Sequence, residues 1–182
     1  MGLVRVPLPE SVYADLARRS PGTGISREEA AVLGGLAQGA GTVLEVGCDH
    51  GMSTVVLSRV AHRVISVDHF RGDRWCGFRD RRDLWTWQDT VEYYGFSEAV
   101  VLMIGDWREV LPLLTRRVDV AFLDAEHDRS SVVAQLTCCA ALGAKVMAVH
   151  DYGRYEVADA VDDWVRRHAW TVQVVDHLAV LR

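Results

Sequence analysis

The amino-acid sequence predicts an α/β fold, a mostly parallel sheet with helices on both faces and an antiparallel piece at its C-terminal end. Three observations carry this. From residue 42 onward, short β-branched runs alternate with helix-length amphipathic stretches, the mark of strands joined by crossover helices. Each run is nearly all apolar, as a strand covered on both faces must be. The closing stretch TVQVVDHLAVLR breaks the alternation with two strand-like pieces and no helix between them, so it reads as a hairpin that adds an antiparallel strand.

Strands are predicted at 42–47 (TVLEVG), 63–68 (RVISVD), 99–105 (AVVLMIG), 118–124 (VDVAFLD) and 144–150 (AKVMAVH), with helices at 53–61, 84–95, 108–114, 129–142 and 154–169. In the last helix Val157, Val161, Trp164, Val165 and His168 share one face, while Asp159, Asp162 and Asp163 turn away. Gly143 follows Leu142 as a helix-ending residue. Before residue 42, PESVYADLARR and ISREEAAVLGGLAQ read as two helices, the second opened by a capping box of Ser26 and Glu29. No repeat or linker divides the chain, and 182 residues fit a single domain over 1–182, with N-terminal helices in 1–41 and the α/β core in 42–182.

A hydrophobic content of 49% with 25% charged residues excludes disordered and fibrous classes. No apolar run reaches the ~18–20 residues of a membrane span, and MGLVRVPLPES lacks the features of a signal peptide, so a cytoplasmic location is expected. A net charge of −5 argues against a general nucleic-acid binder, which depends on neutralising phosphates. Cys48, Cys76, Cys138 and Cys139 contain no CxxC pair and are expected as reduced thiols, not a zinc ribbon or a disulfide framework.

In an open α/β sheet, ligands bind at the carboxyl ends of the strands. The first exit is Glu45-Val46-Gly47-Cys48-Asp49-His50-Gly51-Met52-Ser53-Thr54, where Gly47 and Gly51 permit a tight turn and a close ligand, and Ser53 opens the next helix. The second, Val67-Asp68-His69-Phe70, sets a carboxylate 21 residues beyond Gly47, near the ~20-residue spacing at which an acid meets ribose hydroxyls. A nicotinamide dinucleotide needs G-x-G-x-x-G, but its second and third glycines fall on Asp49 and Met52, and Asp49 would put negative charge where the pyrophosphate sits. A ligand with ribose hydroxyls and no phosphate fits better, and S-adenosylmethionine (SAM) is the common one.

VLEVGCDHGMST, VISVDHF, VVLMIGDW, VAFLDAEH and VMAVHDY, in this order, resemble the motifs of class I SAM-dependent methyltransferases over nearly all of 42–182. The resemblance implies a Rossmann-like, mostly parallel seven-stranded sheet with an antiparallel last strand. It also implies that Gly47 and Gly51 approach the methionine part of SAM, that Asp68 holds the ribose, and that Asp106 with Trp107 borders the adenine. Glu45, Ser53 and His69 complete the implied cofactor set. The middle glycine of the usual E-x-G-x-G-x-G is Asp49 here; the E-x-G-x-x-x-G-x-S-T form resembles a small-molecule O-methyltransferase branch.

Two further exits carry chemistry: Asp124-Ala125-Glu126-His127 and His150-Asp151-Tyr152. Neighbouring strands stand ~4.8 Å apart, so Asp124 and the His150-Asp151 pair can converge on one divalent cation, unless they only cap strand ends. This resembles the metal-dependent branch that methylates catechols and the hydroxyls of antibiotic sugars. The resemblance implies Asp124, His150 and Asp151 as metal ligands and His127, from a D-x-x-H stretch, as the catalytic base. His150 stands where an acid is usual, which admits Mn²⁺ or a softer ion beside Mg²⁺.

Segment 69–89 combines Arg71, Arg74, Arg79, Arg81 and Arg82 with Trp75, Phe78, Trp85 and Trp87, a mixture that can stack on RNA. Asp73, Asp80, Asp83 and Asp89 neutralise most of that charge, which favours a charged loop leading into an amphipathic helix. Gly72-Asp73 to Gly77 resembles the loop that closes over substrate in small-molecule methyltransferases. The expectation is a SAM-dependent O-methyltransferase acting on a small hydroxylated molecule with a divalent cation. The alternatives are a nucleic-acid or protein methyltransferase using the arginine segment, and a SAM- or nucleoside-binding module without chemistry. The acceptor pocket must come from the N-terminal helices, segment 69–89, or a neighbouring subunit of a homo-oligomer.

Overall fold

A computed structural model describes residues 2–21, 24–73, 77–78 and 82–182. Strands β1 (Val43–Val46), β2 (Val64–Asp68), β3 (Val100–Ile104), β4 (Val120–Leu123), β5 (Val146–Val149), β6 (Val172–Val175) and β7 (Leu178–Leu181) form one sheet in the order β3-β2-β1-β4-β5-β7-β6. The pairings from β3 to β5 are parallel, and β7 runs antiparallel to both β5 and β6, so the expected C-terminal hairpin is present. Helices α1 (Glu10–Arg19), α2 (Arg27–Ala37), α3 (Met52–Ser58), α4 (Arg82–Tyr93), α5 (Trp107–Val110), α6 (Arg129–Ala141) and α7 (Tyr155–His168) cover its two faces. No helix among the described residues is long and apolar enough to cross a membrane.

The alternation of side chains along each strand divides the core into two layers. Leu44 and Val46 of β1 pack with Leu136 of α6 and Val161 and Trp164 of α7, while Val43 packs on the other face with Leu33 of α2 and Val55 and Leu57 of α3. The capping box forms as expected: Ser26 Oγ accepts from the Glu29 N–H, and Glu29 Oε2 accepts from the Ser26 N–H at 2.6 Å. Gly143 ends α6 with φ +90°. Two expectations need correction. The helix predicted at 108–114 is one turn of α5 followed by a 3-10 turn at Leu111–Leu113, because Pro112 has no N–H to continue the ladder. In α7, Ala160 rather than His168 completes the buried face; His168 is exposed, with its ring stacked on Trp164 at 4.2 Å.

Gly72–Asp73 and Gly77–Phe78 pair as a two-residue antiparallel ladder. Arg74, Trp75, Cys76, Arg79, Asp80 and Arg81 lie outside the described residues. Cys48, Cys138 and Cys139 are free thiols.

The tightest crossing is where β1 ends. Gly47 has φ +87°, and a Cβ built on it would stand 2.5 Å from the Asp124 carbonyl oxygen and 2.6 Å from its carbon. Only a residue without a side chain lets the β1 exit lie against the β4 exit. Gly95 has a similar φ of +74° but open space around it. Gly95→Ala should therefore cost about 1–2 kcal/mol, the left-handed penalty alone, and Gly47→Ala clearly more. Thermal denaturation checks this, at about 2–4 °C per kcal/mol for a chain of this size.

Candidate active site

A cleft of about 320 Å³ opens at the carboxyl ends of β1 to β5. On one side it is lined by Gly47, Ser53, Asp68, His69 and Trp107, five of the eight residues the sequence assigns to the cofactor. Gly51 sits at φ +90° immediately before α3, and Asp49, in place of the middle glycine, is at φ +40°. Asp is among the few residues that accept this left-handed backbone, so the loop keeps its course without the glycine. Asp68 lines the cleft and also binds that loop: Oδ2 accepts from the N–H groups of Cys48 (2.8 Å) and Asp49 (3.1 Å), and Oδ1 from that of Phe70 (2.7 Å). A carboxylate offers about four acceptor positions, which leaves one for a hydroxyl in the cleft. Trp107 is 7% exposed, its indole N–H is buried without a partner, and the Arg108 guanidinium lies 4.5 Å above the ring.

Glu45, Gly51 and Asp106 are not among the residues that line the cleft. Asp106 caps α5, accepting from the Arg108 N–H at 2.8 Å. Glu45 is fully buried beneath the loop, where Oε2 accepts from Ser66 Oγ (2.5 Å) and Thr54 Oγ1 (2.7 Å), and Thr54 Oγ1 in turn accepts from Trp87 Nε1 at 3.0 Å. Its alternation along β1 points it at α3 and away from the ligand side, so it braces the loop from below. Burial pushes its carboxyl up to about 7 against the pull of the surrounding hydroxyls.

On the other side of the cleft stand Asp124, His127 and Asp151, each offering one ligand atom within 4.8 Å of the others. His127 Nε2 is 2.8 Å from Asp151 Oδ2 and 3.9 Å from Asp124 Oδ1. Burial would lower the His127 pKa, but the Asp151 hydrogen bond and the Asp124 charge raise it; the same His127 bond holds the Asp151 carboxyl well below the usual carboxylate range. Asp151 has φ +57°, so the turn after β5 takes up backbone strain at the site. Its Oδ2 also accepts from Arg154 Nε at 2.8 Å.

The sequence expectation sets His150 with Asp124 and Asp151; the group whose ligand atoms lie within 4.8 Å of one another is Asp124, His127 and Asp151, and His150 stands beside it with Nδ1 3.9 Å from Asp151 Oδ1. Its Nδ1 faces Asp124 Oδ1 at 3.2 Å and its Nε2 faces Glu29 Oε2 at 3.4 Å. Burial would lower its pKa, yet Asp124 and Glu29 together push it up to about 11. Glu29 is 2% exposed; burial would raise its carboxyl, but His150 and the N–H groups of Ser26 and His177 bring it to about 2.

Sequence reasoning found Glu29 only as a helix cap, and it missed the His50–Asp83 contact (Nε2 to Oδ1, 3.0 Å) inside the cleft. Asp49, His50 and Asp83 also offer atoms within 4.8 Å of one another. These join residues far apart in the chain, and no local pattern announces them. Ser20 and Ile25 before α2 and His69, Phe70 and Gly72 after β2 supply further walls, so both the N-terminal region and the 69–89 segment contribute to the pocket.

The chain belongs to the methyltransferase-domain family, whose model matches residues 44–152. It is similar in structure to cofactor-bound Rv0187 from MTB, at 22% identity and a TM-score of 0.72, over 95% of this chain and 89% of that one. It is likewise similar to the O-methyltransferase TomG from Streptomyces achromogenes in complex with SAM (16% identity, TM-score 0.74, 97% and 90% of the two chains). The O-methyltransferase from Bacillus cereus in complex with SAH gives 16% identity and a TM-score of 0.73 over 96% and 90%. These likenesses establish the class I methyltransferase fold, in which the antiparallel β7 lies between β5 and the edge strand β6. No curated protein matches the sequence.

The Glu45 environment sets a pH dependence of stability. Its folded pKa of about 7 lies above the ordinary carboxyl value of 4.5, so its contribution is fully present below about 4.5 and is lost as pH rises through about 7. Glu45→Gln, which keeps an acceptor for Thr54 and Ser66, should raise the Tm by a few degrees at pH 8 and leave it unchanged near pH 4.5. Melting curves of the two proteins from pH 4.5 to 8 check this; parallel curves would refute it.

Proposed function

We propose that the protein transfers a methyl group from SAM to a hydroxyl of a small molecule, assisted by a divalent cation at Asp124, His127 and Asp151. The observation that carries this is that one cleft joins the Asp68–Trp107 side to the Asp124–His127–Asp151 side, so a cofactor and an acceptor can meet within it. Methyl transfer from a sulfonium is an in-line displacement and needs this juxtaposition. SAM and SAH occupy similar folds in TomG and the Bacillus cereus enzyme. The cleft lies in the size range of small-molecule sites, and the unpartnered Trp107 N–H and the remaining acceptor position of Asp68 suit an adenosine.

The cation fits the donors. Neighbouring ligands of an octahedral ion stand about 3 Å apart, close to the 2.8 Å between His127 and Asp151, and two carboxylates with one imidazole suit Mn²⁺ or Mg²⁺. A bound ion would lower the pKa of an acceptor hydroxyl. The chain's own residues do the positioning: Asp124 and Asp151 come from adjacent strand ends, Arg154 braces Asp151, and His127 is held between the two acids. The acceptor is small and not a polyanion, because Asp49, Asp68, Asp83, Asp124, Glu126 and Asp151 line the cleft against Arg154 as the one Arg or Lys among its described residues.

SAM and SAH should raise the Tm and NAD should not, since only a ligand of the native state stabilises it. Asp68→Ala should weaken SAH binding by about one to two decades, the worth of a charge-assisted hydrogen bond. Stabilisation by NAD alone would overturn the cofactor assignment. In an acceptor screen, chelator should abolish turnover and Mn²⁺ should restore it, with SAH affinity unchanged. Full turnover in excess chelator would leave the His127–Asp151 pair as a metal-free base.

A further inference from the structure

We propose that Glu29 is a positioning residue for the cation site, acting through His150 on the carboxylate of Asp124; this rests on the metal-assisted reading above. A capping box asks of its acid only that it reach back to the N-cap N–H, a task done at the helix surface. The Glu29 carboxylate does this and more. It is 2% exposed, and both of its oxygens are engaged: Oε2 with the Ser26 N–H (2.6 Å) and His150 Nε2 (3.4 Å), and Oε1 with the His177 N–H (2.8 Å). A carboxylate is costly to bury unless it is paired, and its pairing here runs towards the active site.

His150 is held between two carboxylates, Glu29 on Nε2 and Asp124 on Nδ1. The ring's orientation is set from both ends, by the hydrogen bond between Nδ1 and Asp124 Oδ1 and by the approach of Nε2 to Glu29 Oε2. One oxygen of Asp124 is thereby tied, and the carboxylate presents itself to His127 and Asp151 in a single orientation. The rear of this arrangement is fastened as well. Ser26 Oγ donates to Asp176 Oδ2 at 2.7 Å, and the Tyr152 N–H donates to the His177 carbonyl at 2.9 Å, linking the α2 cap, the β6–β7 turn and the loop that carries Asp151. Groups that orient the ligands of a metal from behind are typically worth 10–100-fold in its affinity.

The test is Mn²⁺ titration of the SAH-loaded full chain, for wild type, Glu29→Gln, Glu29→Asp, His150→Asn and the Glu29→Gln/His150→Asn double variant. Melting without metal and SAH affinity report on folding. Both Glu29 variants should bind Mn²⁺ 10–100-fold more weakly with SAH affinity kept, because Gln loses the charge and Asp loses the reach. The double variant should bind no worse than His150→Asn alone, as expected when two residues act in series. Wild-type Mn²⁺ affinity in a folded Glu29→Asp protein would reduce the effect to charge and overturn positioning, as would additivity in the double variant. If the Glu29 variants do not fold, His150→Asn, which leaves the cap intact, decides: unchanged affinity overturns the relay. A wild-type protein that binds no Mn²⁺ would defeat the metal reading itself, and the inference with it, whereas binding that ignores Glu29 defeats the inference alone.

Discussion

The close passage of the β1 exit over the β4 exit is the constraint on which the site depends. Gly47 runs against the Asp124 carbonyl with no room for a Cβ, and this contact sets how near the Asp68–Trp107 side of the cleft comes to the Asp124–His127–Asp151 side. Parallel strands bring their carboxyl ends to one edge of any such sheet, but the separation of two loops at that edge depends on what lies between them. Here nothing does. The backbone of Asp124–Ala125 itself forms the wall that Gly47 faces, so a change at either loop is felt by the other.

Around this crossing, the partly buried Asp68 and the buried Glu45 and Glu29 do the work of fasteners, each with a different set of donors. Asp68 gathers three backbone N–H groups and ties the glycine loop to β2. Glu45 gathers two hydroxyls and, through Thr54, the indole of Trp87, and so ties β1 to α3 and α4. Glu29 gathers two N–H groups and an imidazole, and ties the N-terminal helices to the C-terminal hairpin. A buried acid left unsatisfied would be strongly destabilising, so these ties constrain the loops more narrowly than apolar packing does. The loops at this edge carry non-glycine residues at positive φ in Asp49, Phe70 and Asp151.

The electrostatic character of the cleft follows from the same residues. Its acids outnumber its permanent cations, which gives the cleft a negative field. Two histidines stand among these acids: His127 faces Asp124 and Asp151, and His150 faces Asp124 and Glu29.

The order of strands and helices, the antiparallel closing hairpin, the capping box at Ser26 and the strand exits that line the cleft were legible in the residues alone. Hydrophobic period, glycine placement and strand-end acids are local patterns, and in a parallel sheet every strand exit faces the same edge. Only the tertiary structure decided which strand-end residues point at a ligand. Glu45 and Asp106 occupy motif positions, yet one is turned by strand alternation into the layer under the loop and the other is spent on a helix cap. His127 rather than His150 meets Asp124 and Asp151 within 4.8 Å, and His150 finds in Glu29 a buried partner from a helix at the other end of the chain. Such a choice depends on which distant carboxylate packs within reach of a ring nitrogen, and long-range packing leaves no periodic trace in the sequence.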